Sequence, residues 1–166
     1  MDRSILDPQV RNCLDLFHIE CDVLECDPAM ADTAAFCEHY GFSLAQAANT
    51  ILVASKKIDP PQYAVCVVLG TTRLDVNKKV SELMNVKRLS FADAEVTQAL
   101  TGMMIGGVTA IGIGNIPIYV DSKVMEQEKV VMGGGNRSSK IVVVPGQLLK
   151  LPTVTVVEDL ALEKVQ

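Results

Sequence analysis

Tryptophan is absent from the 166 residues, and aromatic side chains make up only 4% of them, so the interior has to be assembled from Val, Ile, Leu, Ala and Met. Apolar residues are nevertheless 49% of the chain, which excludes a disordered protein and is enough to give residues 1–166 a single-domain core. Soft metal ligands are scarce. His18 and His39 are the two histidines, and the five cysteines (Cys13, Cys21, Cys26, Cys37, Cys66) contain no CxxC pair. A zinc site and a disulfide framework therefore lose their basis, and reduced core thiols are expected, with no metal and no cofactor. Cys37 and His39, the nearest nucleophile and base in sequence, do not face each other on a helix. The opening MDRSILDPQVRN lacks a basic run followed by an apolar one, so a cytoplasmic location is the expectation. No P-loop, dinucleotide fingerprint, GxSxG elbow or HExxH occurs, and Gly133–Lys140 lacks a glycine before its lysine.

Positive charge is also in short supply, with 15 Lys and Arg against 20 Asp and Glu, a net of −5. Its distribution is uneven. Residues 1–40 carry nine acids and two bases, whereas residues 41–150 carry twelve bases and eight acids. The middle of the chain can thus present a modest basic face, either to phosphates or simply to water.

One stretch has no charge at all, from Val96 to Val120. Its length would suit a membrane span. Five glycines (Gly102, Gly106, Gly107, Gly112, Gly114), Asn115 and Pro117 interrupt it, however, and no basic cluster brackets it. The preferred reading is a helix end, a glycine loop over 101–115 and a buried strand over 116–120. Such a loop can turn successive N–H groups toward one point and let a ligand approach the backbone; it can also merely pack small residues against a sheet.

The flanking pattern predicts helices over 7–15, over 33–40 with Asp32 as cap and Gly41 as stop, over about ten residues after Asp75, and over 91–100 opened by a Ser90/Asp93 capping box. Strands are expected at 17–25, 49–54, 63–69, 116–120, 129–132, 139–144 and 153–157, with hairpins at 56–61 and at Gly133–Arg137. Asp121 reads as the cap of a turn over 122–126. The sum is an α/β (α+β) protein with a mixed, largely antiparallel sheet or small barrel of about seven strands and helices outside.

The order of AQAANTILV, GTTRLDVNKKVSELM, KRLSFADAEVTQALTG, MMIGGVTAIGI, PIYVDSKV and VMGGGNRSSKIVV resembles the YbaK/prolyl-tRNA editing domain family over residues 30–157. That resemblance implies a trans-editing deacylase that hydrolyses the ester of tRNA mischarged with a small amino acid. Its partners would be the tRNA 3′ end and an aminoacyl-tRNA synthetase, with no membrane. It also implies a GxxxP-type loop, here Gly106, Gly107, Val108, Thr109 and Ala110, and a lysine at the position of Asn49. Ala110 thus replaces the loop proline and Asn49 the lysine.

An activated ester can be hydrolysed by a backbone pocket that orders one water, without a strong side-chain base. Asn49, Gly106, Gly107, Val108 and Thr109 are accordingly the candidate catalytic group. Ala110, Gly112, Arg73, Gly135, Arg137 and Lys140 are the candidates for holding substrate and tRNA. Each has a plainer role open to it, as turn, cap or solvated hairpin tip. Two other functions stay open: a non-catalytic module that binds tRNA or aminoacyl-adenosine after losing the lysine, and an interaction protein that uses the apolar loop as an interface.

Overall fold

A computed structural model describes residues 2–164. Helix α1 (Pro8–Leu16) starts where Asp7 accepts the Gln9 N–H and Pro8 presets the first turn, and it buries Val10 and Leu14. β1 (Asp22–Glu25) is shorter than the alternation over 17–25 predicts, because His18 takes a positive φ of 54° and breaks the extended run. α2 (Thr33–Tyr40) has the predicted bounds, and Gly41 at φ 78° ends it. Asp32 stands at its N-cap but makes no capping bond, since Arg137 engages its carboxylate.

β2 (Ala48–Ser55) and β3 (Tyr63–Leu69) form the expected antiparallel hairpin, with Leu52 opposite Val65. Then come β4 (Thr72–Leu74), a π-turn (Val76–Val80) running into α3 (Ser81–Met84), and β5 (Leu89–Phe91). The predicted Ser90 cap is corrected here: Ser90 lies in β5, and Asp93 caps α4 (Ala94–Thr101) by accepting from Val96 N–H. Short strands pairing with β2 claim the residues that the capping pattern assigned to the helix.

Beyond the glycine loop lie β6 (Ile118–Asp121), α5 (Ser122–Met125), β7 (Val130–Gly133), β8 (Ser139–Val143), β9 (Val154–Val157) and β10 (Ala161–Glu163). Among the described residues the strands form sheets ordered β5-β2-β3-β6-β9, β1-β8-β7 and β10-β4. No barrel closes, and the strands number ten rather than about seven. β3, β6 and β9 run parallel; the other pairs are antiparallel. The main core, including Leu14, Val65, Val67, Met103, Ile111, Val120 and Ile141, packs α1 and the glycine loop against both larger sheets. As the scarcity of aromatics implies, Phe36 is the sole aromatic among the largest fully buried side chains. No helix among the described residues is long and apolar enough to cross a membrane.

Candidate functional site

The glycine loop is shaped by the hairpin that follows it. Three consecutive loop carbonyls are held by residues 135–140: Ile105 O accepts from Arg137 Nη1 at 3.0 Å, Gly106 O from Lys140 Nζ at 2.9 Å, and Gly107 O from Gly135 N–H at 2.7 Å. In a trans peptide the N–H points opposite to the C=O. Clamping these carbonyls on one side therefore turns the next N–H groups to the other. Of these, Gly107 N–H is used within the loop, on Met104 O at 2.9 Å. Gly106 N–H and Val108 N–H have no acceptor among the described residues.

This approach of loop and hairpin demands glycine. Gly106 sits at φ 90°, and a β-carbon at Gly107 would coincide with the Asn136 backbone, as one at Gly133 would with Gly107. The two glycine-rich segments are thus complementary, backbone against backbone.

Beside the loop lies a cavity of about 270 Å³ lined by Thr33, Thr50, Leu52, Phe91, Gly106 and Val108, among others. Thr50 Oγ1 is buried and has no hydrogen-bond partner among the described residues. Thr33 Oγ1 donates to Asn49 Oδ1 at 2.7 Å, which leaves the threonine oxygen's lone pairs free to accept. Asn49 itself is not among the residues lining this cavity. It stands behind Thr33 and fixes that hydroxyl.

The sequence candidates are distributed as follows. Gly106, Gly107 and Val108 form the loop wall. Thr109 is fully buried beneath it, its N–H toward Met103 Sδ at 3.5 Å and its hydroxyl without a partner among the described residues. Ala110 is buried in the main core, and Gly112 O accepts from the Gln9 side chain on the α1 side, away from the cavity. Arg73 lies on β4, paired with Leu162 of β10, and lines a different cavity.

Arg137 and Lys140 do not present free charge to solvent. Arg137 donates from Nε and Nη2 to Pro28 O at 3.0 and 2.8 Å, and from Nη1 to Asp32 Oδ1 at 3.1 Å as well as to the loop. It is a clamp between the segment before α2 and the glycine loop rather than an exposed hairpin tip. Lys140 is 7% exposed, and its ammonium also donates to Ala31 O at 2.7 Å and sits 5.4 Å from the centre of the Phe36 ring. Burial pushes its pKa down, with Cys26 opposing that shift. No cluster of three or more His, Cys, Asp or Glu suited to a metal exists among the described residues.

Two polar residues that line this cavity, Thr33 and Thr50, are not among the sequence candidates. A signal for Thr50 existed, since it adjoins Asn49 in an otherwise apolar strand; none existed for Thr33, whose role depends on α2 folding over β2.

Comparison with known proteins matches this arrangement to a family. The model for the aminoacyl-tRNA editing domain fits residues 27–151, which includes α2, both glycine segments and every cavity residue. The chain belongs to that family. Solved structures that resemble this editing domain include a proposed trans-editing enzyme for prolyl tRNA synthetase, with 24% identity, 92% of this chain and 97% of that one covered, and a TM-score of 0.76. Another is the hypothetical protein APE2540, with 22% identity, coverage of 89% and 97%, and a TM-score of 0.79. At these identities the likeness is one of fold. At the positions to which the sequence resemblance assigns a lysine and a proline, this chain carries Asn49 and Ala110.

Proposed function

We propose that the chain is a deacylase that clears tRNA mischarged with a small amino acid, working from the glycine loop. What supports this reading is that three residues lining one cavity each carry an unpartnered donor among the described residues: Gly106 N–H, Val108 N–H and the buried Thr50 hydroxyl. Those three donors form a preorganised site for the oxygen that becomes negative when water attacks an acyl carbon. Each such donor is worth roughly 10²–10³ in rate in known cases.

Thr33 Oγ1, its proton committed to Asn49, accepts a hydrogen bond from the attacking water and aims the water's oxygen at the carbonyl carbon. The C–O bond to the ribose then breaks. The water oxygen ends on the released carboxylic acid, and a proton passes to the ribose oxygen, with the neighbouring ribose hydroxyl as the relay. An aminoacyl ester needs no stronger base than this, because it is already activated. Asn49 thus serves by holding Thr33, a task that an uncharged amide performs.

A cavity of about 270 Å³ must take the acyl group and part of the terminal nucleoside, which favours small side chains. The test is a deacylation assay on a panel of tRNAs charged with alanine, serine, cysteine and a large aliphatic residue. Release confined to the small amino acids is expected. Equal release across the panel would contradict a size-selecting pocket, and no release would leave the fold without this activity.

A further inference from the structure

The positive charge of this acidic protein is gathered in one segment. Residues 56–88 contain seven bases (Lys56, Lys57, Arg73, Lys78, Lys79, Lys87, Arg88) against three acids (Asp59, Asp75, Glu82), a net of +4; the remainder of the chain has a net of −9. Four of those bases converge at one end of β5. Lys56 N–H donates to Arg88 O at 2.9 Å, so the strand pair brings Lys56, Lys57, Lys87 and Arg88 together, and all four are exposed. Among the described residues none of them meets a carboxylate.

β5 lies at the edge of the five-stranded sheet and leads from this basic end toward the glycine-loop cavity. At about 3.4 Å per residue, Arg88 and Phe91 are roughly 10 Å apart along it. Phe91 is 57% exposed. It lines the glycine-loop cavity on one side and, on the other, a larger groove of about 780 Å³ whose charged residues are balanced, Arg73 and Lys164 against Asp75 and Glu163. A phenyl ring standing in solvent between two cavities, downstream of four uncompensated cations, combines the two features by which proteins hold single-stranded nucleic acid.

We propose that β5 is the track along which the unpaired 3′ end of the RNA reaches the pocket, with Lys56, Lys57, Lys87 and Arg88 on its phosphates and Phe91 stacked on one of its bases. This rests on the deacylase reading for where the strand ends. A protein strand added to this edge fits less well, because β5 is only three residues long and offers few main-chain bonds.

The test is binding of an RNA hairpin with a short unpaired 3′ extension, and of the same hairpin blunt-ended, measured by fluorescence anisotropy over a range of salt. Wild type should prefer the extended hairpin. Replacing Lys56, Lys57, Lys87 and Arg88 by alanine should weaken its binding at least tenfold and reduce the slope of log K against log salt by about 2 to 3, as expected for three or four lost phosphate contacts. Phe91→Ala should weaken only the extended hairpin, about tenfold, with the salt slope unchanged. Lys129→Ala, outside the basic segment, should bind like wild type. Unaltered binding by the fourfold variant, equal effects of Phe91→Ala on both hairpins, or no preference by wild type for the extension would each overturn the track. Ester hydrolysis by the same preparations is read separately. RNA binding as described with no hydrolysis of mischarged tRNA would leave the track standing and remove the deacylase reading.

Discussion

A buried hydroxyl with no partner costs about 1–3 kcal/mol, which makes Thr50 a liability to the fold unless a ligand completes it. Thr50→Val keeps the shape and deletes the hydroxyl. It should raise stability to urea by about 1 kcal/mol and lower single-turnover deacylation by roughly 10²-fold, the loss expected for one oxyanion donor. A variant less stable than wild type, or one fully active, would remove Thr50 from the site. Asp121 poses a related problem at the end of β6. It is fully buried at the predicted cap position but makes no capping bond, and the nearest cation is Lys123 Nζ at 3.7 Å. Burial pushes its pKa above the usual carboxylate range, with Lys123 opposing. A raised folded-state pKa means that the folded protein binds the proton more tightly than the unfolded chain does. The associated stability is present below the unfolded pKa of Asp and is lost as pH rises through the folded one. Asp121→Asn should therefore flatten the stability profile across that window, with the gain over wild type growing toward neutral pH in urea titrations.

At the scale of elements, the fold's central device is one glycine segment clamped by another. Lys140→Met would leave Ala31 O and Gly106 O without their charged donor, at a cost of several kcal/mol if both stay buried. The expected result is a loss of about 2–4 kcal/mol in urea unfolding together with reduced deacylation. Lys140→Arg should restore neither, since the pocket beside Phe36 is built for a compact ammonium. Unchanged stability in Lys140→Met would mean that the clamp does not hold the loop. What could be read from the sequence at this scale follows from which signals are local. The hairpin of β2 and β3, the stop at Gly41 and the Gly133–Arg137 turn are written in adjacent residues, and the sequence pattern located them. The Ser90 cap is misassigned because a three-residue strand gains its stability from β2, a partner 38 residues earlier by the Val53–Phe91 pairing. The sequence reading takes Asp32 as a helix cap and Arg137 and Lys140 as phosphate contacts; the bonds they make join segments 32 to 109 residues apart, which no local pattern reports.

For the whole molecule, charge and shape divide the labour. An acidic body carries one basic segment, and a sheet edge connects that segment to the glycine-loop cavity. The loop's place was legible, because a long uncharged run broken by glycines stands out from its charged flanks. Which N–H groups are free was not legible, since it depends on three carbonyls being drawn to the hairpin; Gly107 N–H, a natural first choice, is internally bonded, while Gly106 and Val108 are not. The same reasoning changes the meaning of Asn49. Behind Thr33 it acts as a fixed acceptor, so a lysine there would take away the bond that orients the hydroxyl.

Under the proposed function, this pocket hydrolyses an aminoacyl ester through its backbone and two threonines, with no lysine on β2. The most direct measurement is the single-turnover rate of amino acid release from tRNA mischarged with alanine, for wild type beside Asn49→Lys. Release by wild type and a slower rate in Asn49→Lys are expected. A silent wild type with an active Asn49→Lys would contradict the proposed function, and would make this a pocket that binds the mischarged end without cleaving it.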